Sequence, residues 1–166
     1  MSLPAPQGLP YRICLVCLGN ICRSPIAAVV LAERVAAEGL PVAVDSAGTG
    51  SWHVGEPADR RARAALRRAG YDGEAHRARQ FDPAWFAARD LVLALDEANL
   101  ADLRRLAPDQ QARARIRLLR SFDPAAEVDL AVPDPYYGND AGFDDTLAVV
   151  EAAVDGLVRE LRAAIG

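Results

Sequence analysis

"YRICLVCLGNICRSPIAAVVLAERVAAEG", residues 11–39, decides the fold. Residues 11–17 are a short apolar run and read as a buried strand. Ser24 is suited to cap a helix, and Pro25 to its first position, where a missing N–H costs nothing. Glu33, Arg34 and Glu38 are the exposed positions of that helix, and Gly39 ends it. Between strand and helix lies "CLGNICRS", 17–24. A plain connection needs a glycine and a cap. This one also carries two cysteines, an asparagine and an arginine.

Working outward, "VAVDS" (42–46), "DLVLAL" (90–95) and "ARIRLL" (114–119) read as further strands. Residues 57–69 place Ala58, Ala62, Ala65, Leu66 and Ala69 on one helical face. Residues 97–107 form a helix stopped by Pro108. Leu147, Val150, Val154, Leu157, Val158 and Leu161 make the apolar face of a last helix. Strand and helix alternate throughout. The expected fold is a single α/β domain: a parallel sheet with helices on both faces and right-handed crossovers. Ligands of such sheets bind beyond the carboxyl ends of the strands. "CLGNICRS" is at such an end.

The chain has 166 residues, enough for one domain over 11–166. Residues 1–10 are expected as a loose, disordered leader and not a signal peptide. Apolar runs are too short for a membrane span. A net charge of −4 argues against nucleic acid as a partner. All 19 basic residues are arginine, which removes Walker-type phosphate loops and Schiff-base chemistry. Cys14, Cys17 and Cys22 are an odd number within nine residues. They make a poor disulfide framework, so a reduced, cytoplasmic setting is expected. Cys14 and Cys17 spell C-x-x-C, but Cys14 is inside a strand and no second ligand pair exists for a metal.

A loop with the spacing Cys17-x5-Arg23-Ser24 can turn successive backbone N–H groups inward. With the positive end of the following helix it makes an anion nest. Gly19 permits close approach. Arg23 offers a planar fork for two phosphate oxygens. Cys17 in that field is expected as a thiolate nucleophile, with the Ser24 hydroxyl donating to the sulfur.

These residues resemble a known family. "VCLGNICRSPIA" (16–27) is similar to the signature of the low-molecular-weight protein tyrosine phosphatases, bacterial type. That resemblance implies a downstream Asp-Pro followed by tyrosines, and "DPYYGND" (134–140) supplies it. "DSAGTGSWHVGEP", "HRARQF" and "DEANL" extend the likeness to roughly residues 11–160. Ala28 and Leu95 depart from residues frequent in the family, away from the reacting groups. The implied fold is a four-stranded parallel sheet with a phosphate-binding loop after the first strand.

The resemblance implies hydrolysis of phosphotyrosine or small aryl phosphates, releasing inorganic phosphate, with no cofactor and no metal. Cys17 is the implied nucleophile, Arg23 the clamp and Asp134 the general acid and base. Leu18, Gly19, Asn20, Ile21, Cys22 and Ser24 would surround the phosphate, and Trp52, Tyr136 and Tyr137 would wall the cleft. Asn20, Ser24 and His76 would brace the loop. Cys22 could pair reversibly with Cys17 under oxidation. A cognate tyrosine kinase is an implied partner, and Tyr136 and Tyr137 are candidate phosphorylation sites.

Plainer readings stand beside these. Cys17 and Cys22 could be small buried hydrophobes, Asp134 a turn residue stiffened by its prolines, and His76 a solvated loop residue. The aromatic residues could be packing. Two other functions compete: an arsenate reductase, which would need further cysteines downstream, and a phosphate-binding module without turnover.

Overall fold

Strand β1 (Tyr11–Cys17) pairs on one side with β2 (Val42–Gly48) and on the other with β3 (Leu91–Ala94). Strand β4 (Ile116–Leu118) adds to β3, giving the order β2-β1-β3-β4 with every pair parallel. The computed structural model describes residues 3–166. Alternate side chains of β1 enter two different cores, as the period of two requires. Tyr11, Ile13 and Leu15 join the core under α1 (Arg23–Ala37), α2 (Arg60–Arg68) and α5 (Asp140–Ile165). Cys14 and Val16 join the core under α3 (Glu97–Leu106) and α4 (Gln110–Arg113). The helices thus cover both faces.

Some boundaries differ from the sequence reading. Strand β2 runs two residues further, to Gly48, because it follows β1 to its end at Cys17. Strands β3 and β4 are shorter than expected. Helix α1 begins at Arg23, with Cys22 in the N-cap position and no side-chain cap. Ser24 does not cap it, because its hydroxyl is turned inward to Cys17 and Asn20. Pro25 is then the third helical residue, still among the positions whose N–H has no partner in the helix. Arg34 is half-buried, paired with Asp155 and Glu151 of α5. Ala69 is exposed, since α2 ends at Arg68.

The described part of the leader, residues 3–10, has no helix or strand. It is nevertheless hydrogen-bonded to the body. Gln7 N–H donates to Asp90 Oδ1 at 2.8 Å, and Tyr11 Oη–H donates to the Pro4 carbonyl at 2.8 Å. Burial, then the charge of Asp90, pushes the Tyr11 hydroxyl up to about 12, so it remains a donor at neutral pH. Among the described residues no helix is long and apolar enough to cross a membrane.

Candidate active site

The loop between β1 and α1 closes around the sulfur of Cys17. Asn20 N–H points at Sγ from 3.3 Å, and Ser24 Oγ lies 2.9 Å away. The Asn20 amide Nδ2–H donates to Ser24 Oγ at 2.7 Å. That leaves the Ser24 proton free to point at the sulfur, the arrangement a thiolate needs.

Asn20 is the hub of the loop. Its φ is 58°, a left-handed conformation that asparagine tolerates better than most residues. Its Nδ2 also donates to Ser46 Oγ at 3.0 Å, and its Oδ1 accepts from Arg79 N–H at 2.9 Å. His76 Nε2 lies 2.7 Å from the Asn20 carbonyl. Burial lowers the tendency of His76 to take a proton, against the pull of that carbonyl, and the charges of Arg79 and Arg77 lower it further. The neutral ring therefore carries its hydrogen on Nε2 and donates it to Asn20. Gly48, at the end of β2, is a glycine for a steric reason: a Cβ there would lie 2.6 Å from the Leu18 carbonyl oxygen.

Arg23 is 4% exposed. Its Nη1 donates to Asp96 Oδ2 at 2.7 Å and to the Val132 carbonyl at 3.1 Å, and its Nη2 is 3.7 Å from Asp134 Oδ2. Asp96 does two things. Its Oδ1 caps α3 by accepting from Asn99 N–H, while Oδ2 holds Arg23.

Asp134 has its side chain half in solvent. Its segment is pinned by Val132 N–H to the Leu95 carbonyl and by Thr146 Oγ1–H to the Pro133 carbonyl. Asp134 Oδ1 accepts from Tyr136 N–H, and the Tyr136 and Tyr137 rings meet edge to face at 5.0 Å. Arg61 sits over both Tyr136 and Phe143, tying this segment to α2 and α5.

A cleft of about 230 Å³ opens above the loop. The sequence-predicted residues Cys17, Leu18, Gly19, Asn20, Ile21, Cys22, Arg23, Trp52, Asp134, Tyr136 and Tyr137 all line it. Ser24 does not: it is fully buried beneath the sulfur, so the substrate contact expected of it is corrected to a contact with Cys17. His76 likewise lies outside the cleft, behind the loop. None of the three cysteines is in a disulfide. Burial raises the Cys22 thiol far above its ordinary range, with the charges of Asp59 and Cys17 adding to it, so Cys22 is a neutral thiol. Cys14 is raised too, first by burial.

A family model described as low molecular weight phosphotyrosine protein phosphatase matches residues 12–165. The chain belongs to the low molecular weight phosphotyrosine protein phosphatase family. Among this family's members, a Streptomyces coelicolor protein named low molecular weight protein-tyrosine-phosphatase is 55% identical over 157 residues, covering 93% of this chain and 95% of its own. Low molecular weight protein-tyrosine phosphatase A of Mycobacterium tuberculosis is 46% identical, covering 89% of this chain and 90% of its own. The crystal structure of a protein tyrosine phosphatase from Entamoeba histolytica superposes with a TM-score of 0.87 at 33% identity, covering 92% and 97% of the two chains.

Two residues of this phosphatase-family site escaped the sequence reading. Asp96 stands just after β3, at the sheet edge where ligands bind, and that position was its signal. His53 lines the cleft with its ring 3.1 Å from where a Cβ on Gly19 would be, and its Nδ1 is 3.2 Å from the Glu56 carboxylate. Only its neighbour Trp52 marked it.

Proposed function

We propose that the protein is a protein-tyrosine phosphatase that works through a cysteinyl-phosphate. The observation that carries this reading is the convergence of Cys17, Arg23 and Asp134 on one cleft, with Asn20 N–H and Ser24 directed at the sulfur.

Cys17 Sγ attacks phosphorus as the bond to the phenolic oxygen breaks. Asp134 gives its proton to that oxygen, and the phenol leaves. Water then attacks the cysteinyl-phosphate, its proton passes to Asp134, and inorganic phosphate leaves with the thiolate restored. Arg23 and the loop N–H groups stabilise the equatorial oxygens in both steps. Asp96 and the Val132 carbonyl fix the plane of the guanidinium. Trp52, Tyr136 and Tyr137 suit a flat aryl group above the phosphate.

Cys22 is read as the resolving thiol. A peroxide would oxidise Cys17 to a sulfenic acid, and condensation with the Cys22 thiol would release water and form a disulfide. A reducing, cytoplasmic setting fits a nucleophile that must stay a thiolate.

The test is hydrolysis of p-nitrophenyl phosphate by wild type, Cys17→Ser and Asp134→Ala. Wild type turns over, Cys17→Ser is inactive, and Asp134→Ala is slower by about 10²–10⁴-fold. Folded, reduced wild type that binds vanadate without turnover would instead make the loop a receptor.

A further inference from the structure

Trp52 is 70% exposed, yet its position is fixed. Its ring fills the space beside Gly50, where a Cβ would come within 1.8 Å of it. Gly50 N–H donates to the Leu18 carbonyl at 2.9 Å, and Thr49 N–H to the Cys17 carbonyl at 3.0 Å. The tryptophan therefore stands on a backbone hydrogen-bonded to the catalytic loop. The cleft lies on one side of it. On the other is a groove of about 280 Å³, lined by Leu18, Thr49, Trp52, Asp102, Arg105 and Leu106. Leu18 and Trp52 belong to both.

We propose that this groove receives an acidic side chain two residues from the phosphotyrosine of a polypeptide substrate. The inference rests on the phosphatase reading above. Residues two apart in an extended peptide send their side chains to the same face, about 7 Å from each other. Such a peptide can straddle Trp52, with the phosphotyrosine in the cleft and the side chain two residues away in the groove. Leu18, Trp52 and Leu106 suit the methylene stem of a glutamate.

Charge selects the acid. Arg105 is on the third turn of α3 with its side chain 71% exposed. Asp102 also lines the groove and is neutralised by Arg105, which gives it Nη2 and keeps its other N–H groups for a second carboxylate. Arg104 beside Arg105 is also exposed. A substrate carboxylate is drawn to these guanidinium groups. Small aryl phosphates end before Trp52 and do not reach the groove.

The experiment compares kcat/KM for two phosphotyrosine peptides, one with glutamate and one with lysine two residues away on both sides of the phosphotyrosine, with p-nitrophenyl phosphate as the internal reference. Wild type and Arg105→Glu are measured at 0.05 and 1 M NaCl. Wild type prefers the glutamate peptide at low salt by about fivefold, the scale of one exposed ion pair. Arg105→Glu abolishes or inverts that preference and leaves p-nitrophenyl phosphate within twofold. At 1 M salt, where screening acts within about 3 Å, the wild-type preference shrinks. Equal preference in wild type and Arg105→Glu overturns the groove assignment, as does a wild-type preference for lysine. Failure of wild type to hydrolyse p-nitrophenyl phosphate would overturn the phosphatase reading itself, a separate result.

Discussion

At Asn20 one residue supplies a left-handed turn, an N–H aimed at the sulfur and a side chain joined to Ser24, Ser46 and Arg79. Two substitutions separate these contributions. Asn20→Gly keeps the backbone free to adopt φ near 58° but loses the side-chain bonds. Asn20→Ala loses the bonds and adds a Cβ in a conformation that costs about 1 kcal/mol or more. Both should lower kcat on p-nitrophenyl phosphate. Urea unfolding should find Asn20→Ala the less stable of the two by about 1 kcal/mol, and equal midpoints would remove the backbone argument. Asp96→Asn is a second test at this scale. Asparagine caps a helix as well as aspartate does, so α3 keeps its Asn99 bond. Only the charge facing Arg23 is lost. A drop in kcat/KM of about tenfold with little change in melting temperature is expected, in line with hydrogen bonds to charged groups. Unchanged kcat/KM would mean Asp96 does not position Arg23. The residues of "CLGNICRS" were legible in the sequence because strand, loop and helix are contiguous. Asp96 and His53 were not. Each reaches the site only through pairing and packing with segments distant in the chain.

Among the elements, the interior of each was easier to read than its ends. The apolar face of α5 is buried at each residue the sequence marked. The start of α1 was misassigned because Ser24 satisfies a general rule for caps while serving a particular sulfur. A 3-10 turn over Pro83–Ala88 went unread, since six residues carry no period. Its signal was the Asp82–Pro83 pair, whose aspartate accepts from Ala84 N–H. That turn holds Phe86 and Trp85 edge-on to Phe81, with Arg79 and Arg89 over the indole. Gly156 is an element-scale feature the sequence displayed without explaining. It stands inside α5, where alanine would favour the helix by about 1 kcal/mol. A Cβ there would lie 1.8 Å from the Phe122 carbonyl oxygen, so α5 could not lie as close to the 119–122 turn. Gly156→Ala should therefore destabilise, by about 2 kcal/mol after the propensity gain, as overpacking against backbone does. Thermal unfolding checks this, and a raised melting temperature would refute the close approach.

At the scale of the whole molecule, stability and loop bracing share a titrating group. His76 is held in its neutral form chiefly by burial, with Arg79 and Arg77 opposing a further positive charge. Its folded-state pKa lies below the 6.5 of an unperturbed histidine. Between those two values the unfolded chain binds more protons than the folded one, so stability rises with pH across that window. The contribution of His76 is complete above 6.5 and is lost as pH falls from there toward the folded value. Asp59 does not confuse this reading. Burial alone would raise its carboxyl, but hydrogen bonds from Arg61 bring it below 3.8, so its contribution is lost only at stronger acidity. Urea midpoints from pH 7.5 to 5 should decline more steeply for wild type than for His76→Gln, whose amide can still donate to the Asn20 carbonyl without titrating. Parallel declines would assign the acid sensitivity elsewhere. Loss of activity in His76→Gln without a change in slope would leave His76 as a brace for the loop but not as a pH-linked one.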